Sequence, residues 1–423
     1  MPDEDRRYKE LAHERLFRQW EESSWSATAI DFSTDARHWQ TELDEHQREA
    51  ALWNYAMFLK GVTGVSKALT AVMDAAPTPS HSLLVSTQIA DEARNRLFLE
   101  RFMREVAGQG NDPTSTSDAI DHYLTWGFRQ LFAELERSAD ALRKRPADRA
   151  LLTQLVALSH LIIEGVLAIP GEHFIHRYVT KRDIMPGLAT GLSHIASGEA
   201  RHVSFGMTLL SRLMNASSDN RVAAIQMWNR VLPWMVGVFI PPNLDRTYVE
   251  CFDFTLEDIY GFGLRGLEEK LEEIGVNPTE LTLLSFDDRS LTYEQRAGRM
   301  VTLIEAGILG DDRKEPNPTQ EALEILFEGT VRALDLDVAR SLGGPIQWNF
   351  TDADSWHIVV TNGHAEAKPG QAGNPALVLE ISSGDWSKVA VGRSDARWAL
   401  LKRKLKVHGS WQAKSRLSKL FHS

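Results

Sequence analysis

The chain has 423 residues, 43% hydrophobic and 25% charged, an ordinary balance for a soluble globular protein and far from that of a disordered chain. Its length predicts two or three domains. The net charge of −11 argues against nucleic-acid binding, and the single cysteine, Cys251, excludes a disulfide framework and any cysteine-based zinc or iron–sulfur site, so the expected setting is the cytoplasm.

The first residues are charged and lead into an amphipathic helix, so no export signal is expected. Apolar residues then recur at helical spacing to about residue 275, which predicts an all-α first part. Helices are expected near Arg6–Glu22, Asp44–Asp74, Pro79–Val106, Ser117–Arg143, Asp148–Val179, Arg182–Met214, Asn220–Val238 and Leu256–Ile274. Lengths above 25 residues suit a bundle of long antiparallel helices, with residues 107–143 as a crossover. The run Leu151 to Pro170 approaches the length of a membrane span, but it carries Gln154, His160 and Glu164 and is read as a buried helix.

Between Gly310 and Pro318 the chain is polar and punctuated by proline, as a linker would be. A helix at Thr319–Leu342 and strands at Ile346–Thr351, Trp356–Thr361, Leu377–Ile381 and Leu405–Val407 follow, which predicts a small α+β domain. The expected division is therefore 1–277, a helical bundle; 278–317, a partly helical linker; and 318–423, the α+β domain. Residues 401–423 carry seven Lys and Arg and no acidic side chain. Such a tail points to peripheral contact with anionic lipid, although a solvated surface is the plainer reading.

A Glu-x-x-His unit on a helix sets a carboxylate and an imidazole on one face, where both can reach one ion. Glu199 and His202 form such a unit, but so do Glu10 and His13, and chance alone supplies about one. The stronger signal is an echo: Asp91-Glu92-Ala93-Arg94-Asn95 and Gly198-Glu199-Ala200-Arg201-His202 repeat Glu-Ala-Arg on two long helices. Glu164 lies 35 residues before Glu199, room for one helix to end and the next to return to its level. Its neighbours are apolar, so an ionised Glu164 calls for a compensating cation.

This arrangement resembles the ferritin-like carboxylate-bridged di-iron proteins, which include the ribonucleotide reductase small subunit and related oxygenases. The resemblance implies a bundle over about residues 40–240, with Glu92, Glu164, Glu199 and His202 as metal ligands. It gives Glu92 a further catalytic part, completing the metal sphere or shuttling a proton. The first metal position departs from the pattern. Asn95 stands where a histidine belongs, and Gly61 or Val62 where a lone carboxylate belongs, so one ion, iron or else manganese, is expected rather than two. Asp91 would orient His202, as carboxylates beside metal-bound histidines do. His160 is weighed as a replacement ligand against a satisfied core histidine, and the latter is preferred. Leu99 replaces the tyrosine of radical-storing relatives.

Residues 318–423 resemble the sterol-carrier-protein type of lipid-binding domain, through Ala376–Ser382, Gly384-Asp385-Trp386 and Leu405–Ser410. That implies a sheet and helices around an apolar tunnel that Trp348, Phe350, Trp386, Trp398 and Trp411 would line or simply fill as core. The whole reads as an oxidoreductase that uses dioxygen on a small lipophilic or carrier-bound substrate and acts as a homodimer. The alternative is a metal-free lipid-binding or assembly protein whose bundle is a dimerisation module.

Overall fold

The computed structural model describes residues 14–285 and 287–420; the pair Glu10 and His13 lies outside them. The chain forms two compact units, Met1–Val276 and Asn277–Ser423.

The first unit is built from long helices: α1 (Glu45–Asp74), α2 (Pro79–Glu105), α3 (Trp126–Lys144), α4 (Arg149–Arg182), α5 (Pro186–Ala216), α6 (Ser218–Val236) and α7 (Leu256–Glu273). Their ends follow local chemistry. Asp44 and Gln47 cap each other's backbone amides at the start of α1, and Thr78 caps α2, whose first residue is Pro79. The amides of Gly187 and Leu188, which open α5, donate to the buried carboxylate of Asp35 at 2.9 and 2.7 Å. Packing of α2 and α5 on each other buries Phe98, Phe102, Leu188, Leu192 and Ile195 in one core.

The predicted helix Ser117–Arg143 is interrupted. It divides into Pro113–Ala119, a 3-10 turn at Asp121–Tyr123, and α3, where Thr125 caps the amide of Phe128. Close packing accompanies the break: a Cβ on Gly127 would lie 2.4 Å from the carbonyl oxygen of Trp234.

Within α4, Ala157–Ala168 is wound as π-helix, a longer run than the single-turn bulges usual in proteins, and it carries Glu164. By length and composition α4 could cross a membrane, but 78% of its most apolar stretch is buried in the bundle.

The second unit holds helices α8 (Tyr293–Glu305) and α9 (Gln320–Arg332) and five strands: β1 (Ile346–Phe350), β2 (Trp356–Thr361), β3 (His364–Pro369), β4 (Leu377–Ile381) and β5 (Lys406–Gly409). The sheet order is β3-β2-β1-β4-β5, with β1 and β4 parallel and the other pairs antiparallel. Strand β3 escaped the sequence reading because it is an edge strand without a buried residue and ends in proline. The predicted helix Thr319–Leu342 ends early at Arg332, and Asp335 caps a new short one, Leu336–Arg340.

Phe327 of α9 anchors this core, stacked on Trp356 at 4.7 Å and edge-on to Trp348 at 5.2 Å. Trp348, Phe350 and Trp386 are core residues, whereas Trp398 and Trp411 are 58% and 83% exposed. Arg393 fastens residues 307–314 by donating to the carbonyl oxygens of Gly307, Ile308 and Lys314 and pairing with Asp312.

Candidate metal centre

The four residues singled out from the sequence converge. Glu92 on α2, Glu164 on the π segment of α4, and Glu199 and His202 on α5 are all buried, and each offers a ligand atom within 4.8 Å of the others. His202 Nδ1 is 3.6 Å from both Glu92 Oε1 and Glu199 Oε2. All three atoms are buried without a hydrogen-bond partner. Buried polar atoms are ordinarily satisfied, so three orphans facing one another suit a shared cation.

The opposite edge of His202 is held. Its Nε2 lies 3.1 Å from Asp91 Oδ2, which leaves Nδ1 for the cluster. Asp91 also accepts from Trp20 Nε1 at 3.0 Å, from Arg94 at 2.7 Å and from Arg201 at 3.2 Å. Both arginines of the repeated Glu-Ala-Arg motif therefore serve Asp91 rather than the four cluster residues. Burial works to raise the Asp91 pKa, but the bonds from His202 and Trp20 and the Arg201 charge outweigh it and hold the carboxyl below its usual range.

Glu164 has its own support. Both its oxygens accept from Gln88 Nε2 at 2.9 Å, and Gln88 Oε1 lies 3.0 Å from His160 Nε2. Ser159 Oγ lies 2.9 Å from His160 Nδ1. Since Gln88 turns its amide hydrogens to a carboxylate, its oxygen must accept, which assigns the hydrogen of a neutral His160 to Nε2. Burial pushes His160 down to about 3, in keeping with that neutral form. His160 is thus a supporting residue and stands outside the ligand group. Gly206 of α5 makes the packing feasible, because a Cβ there would lie 2.2 Å from His160 Cβ.

A cavity of about 80 Å³ opens beside the cluster. Glu92, Glu164, Glu199 and a further carboxylate, Glu172, lie along it, with Phe58, Val62, Leu99, Phe128, Phe132 and Ile195 among its apolar walls. Leu161 and Val166, beside Glu164, and Phe205, beside His202, are buried in the core but do not line it. Burial, reinforced by the charge of Glu199, raises Glu92 and Glu172 well above the usual carboxylate range and pushes Glu164 up to about 8. For His202, burial works to lower the pKa but is overcome by the bond to Asp91 and the nearby charges of Glu199 and Glu164, and the group is raised well above its usual value. The site therefore concentrates negative charge in an apolar enclosure.

Sequence reasoning missed Gln88 and Glu172. Gln88 carries a readable signal, since it lies one turn before Glu92 on the same helix face. Glu172 carries none of that kind.

The model of the ribonucleotide reductase small chain matches residues 7–230, more than half of the chain, and that of the SCP-2 sterol transfer family matches residues 328–422. Among solved structures, the R2-like ligand-binding oxidase from Sulfolobus acidocaldarius is 21% identical, with a TM-score of 0.52 over 66% of this chain and 92% of that one. A variant of an R2-like ligand-binding oxidase with an aerobically reconstituted Mn/Fe cofactor is 18% identical, with a TM-score of 0.53 over 62% of this chain and 93% of that one. At these identities the likeness concerns the fold.

Proposed function

The chain belongs to the ribonucleotide reductase small-chain family, and from that premise we propose that its helical unit is a metal-dependent oxidase acting on a small lipophilic molecule. The observation that carries this reading is the trio of orphaned, buried atoms, Glu92 Oε1, Glu199 Oε2 and His202 Nδ1, with Glu164 beside them. Carboxylate and imidazole donors suit iron or manganese, and a similar fold is known with a Mn/Fe cofactor.

When bound, such an ion supplies the one-electron chemistry that dioxygen requires. The chain's own residues do the rest. Asp91 fixes the ring of His202 so that Nδ1 faces inward, and Gln88, steadied by His160, fixes Glu164. Phe58, Val62, Phe128 and Phe132 keep bulk water from the cavity and fit an apolar substrate. Glu92, whose carboxyl holds its proton more tightly than an exposed one, can take or return a proton at its oxygen beside the substrate.

The test is metal analysis of the full chain after expression with iron and manganese. Bound metal close to a stoichiometric amount is expected, lost in the Glu199→Ala, His202→Ala double variant while the helical circular dichroism is kept. Less than about a tenth of an equivalent in the wild type refutes the reading.

For the second unit we propose a lipophilic ligand with a polar oxygen. Its support is the SCP-2 match together with three buried indole N–H groups, of Trp348, Trp356 and Trp386, that lack an acceptor. Mass spectrometry of organic extracts tests this, and recovery of no acyl or polycyclic compound counts against it. Exposed Trp398, Leu401 and Trp411 beside Lys402, Arg403 and Lys414 support contact with an anionic membrane surface, measurable as vesicle binding that salt reverses.

A further inference from the structure

Glu172 is unused by the four-residue cluster. It is 6% exposed, lines the same cavity as Glu92, Glu164 and Glu199, and among the described residues no hydrogen bond or ion pair reaches it. Its position along the bundle is informative. The preceding residue, Gly171, packs against the Phe58 ring so closely that a Cβ would lie 2.6 Å from it. Phe58 is one turn before Val62 on α1, and both line the cavity. Helices α4 and α5 are joined by the short turn 183–185 and pack on each other. Passing from Glu164 to Glu172 therefore moves away from His202 and toward Ile195 and Leu99, the end where this chain has Val62 in place of a carboxylate.

Charge gives the second argument. Four carboxylates share this cavity, and among the described residues no Lys or Arg lines it. One divalent ion would offset half of their charge, and carboxylates left ionised in apolar walls are strongly disfavoured. A second divalent ion completes the balance with His202 neutral.

We propose that Glu172 supplies, from α4, the carboxylate that Val62 cannot supply from α1, and that the cavity thereby holds a second divalent cation beside Glu92 and Glu199. Oxygen donors alone suit manganese or ferrous iron at this position. The inference rests on the proposed function, because the first ion must be present for the second to share its carboxylates.

The experiment uses the full-length chain loaded anaerobically with Mn(II) or Fe(II), desalted, and assayed for metal per chain by mass spectrometry, with anomalous diffraction at the metal edge locating each ion. Wild type, Glu172→Gln, Glu172→Leu and His202→Ala are compared. The expected result is two ions per chain in wild type and one in the Glu172 variants, with the lost anomalous peak lying on the Val62 side. Glu172→Gln keeps the shape of the side chain, so it carries the test should Glu172→Leu fail to fold. One ion in wild type, unchanged in Glu172→Gln and lost in His202→Ala, overturns this inference and leaves the proposed function standing. Two ions in both wild type and Glu172→Gln also overturn it. No metal in any sample overturns the proposed function itself.

Discussion

Replacing Gly206 by alanine should unfasten the support of Glu164. The added Cβ would stand 2.2 to 2.4 Å from three atoms of His160, where ordinary contact begins near 3.4 Å, so the imidazole must recede by about 1.2 Å. His160 Nε2 is 3.0 Å from Gln88 Oε1, and a shift of that size carries the pair beyond hydrogen-bonding range. Overpacking a core costs roughly 1 to 3 kcal/mol, and leaving a buried polar group unsatisfied costs roughly 1 to 3 more. Alanine returns about 1 kcal/mol through its better helix propensity. The net loss is then on the order of 1 to 5 kcal/mol, which for a unit of this size lowers the melting midpoint by roughly 2 to 20 °C.

Gly263 is the control. It also lies within a helix, but a Cβ there meets nothing within 4 Å, so Gly263→Ala should stabilise by up to about 1 kcal/mol. Urea unfolding followed by circular dichroism, with metal removed, compares the three proteins. A Gly206→Ala midpoint within about 0.5 kcal/mol of wild type, or both variants shifting in the same direction, would refute the packing argument.

Asp91→Asn should weaken metal binding by roughly 10- to 100-fold, because the amide no longer fixes His202 as the carboxylate does; competition with a chelator of known affinity measures this, and unchanged affinity contradicts it. His160 makes stability depend on pH. Its folded pKa, near 3, lies below the value of 6.5 expected when unfolded, so between these the unfolded chain binds a proton that the folded chain refuses. Its contribution is present above about pH 6.5 and falls by about 1.4 kcal/mol per unit as the pH drops toward 3. His160→Gln should show a shallower acid slope in urea unfolding, and equal slopes tell against the assignment. Arg393→Ala should release residues 307–314 and speed tryptic cleavage at Arg313 or Lys314, with little change in bundle helicity.

Much of the first unit is legible because amphipathic period and end signals agree there. The Asp44 and Thr78 caps and the Pro186 start mark helix ends within a few residues of those found. The four-residue cluster was legible through the Glu-Ala-Arg echo, and Asp91 through its place just before Glu92. Contacts between helices were not legible. Nothing in the sequence says that Gln88 and His160, 72 residues apart, meet. Strand β3 was hidden because an edge strand with no buried residue has no apolar alternation to display. The division of the Ser117 helix was hidden because Thr125 reads equally well as a helix-interior or a capping residue.

The winding of α4 bears on which side chains can meet at all. In ordinary helix each residue advances about 100° around the axis, so two residues eight apart, such as 164 and 172, stand about 80° out of line. In π-helix the advance is nearer 82° per residue. Because Ala157–Ala168 is wound that way, the four steps from Glu164 to Ala168 fall short by enough to bring Glu172 to within roughly 10° of Glu164. Were that stretch to relax to the commoner winding, every residue type would be unchanged, yet one carboxylate would rotate out of the cavity. The number of acidic groups gathered here is therefore set by helical pitch as much as by composition.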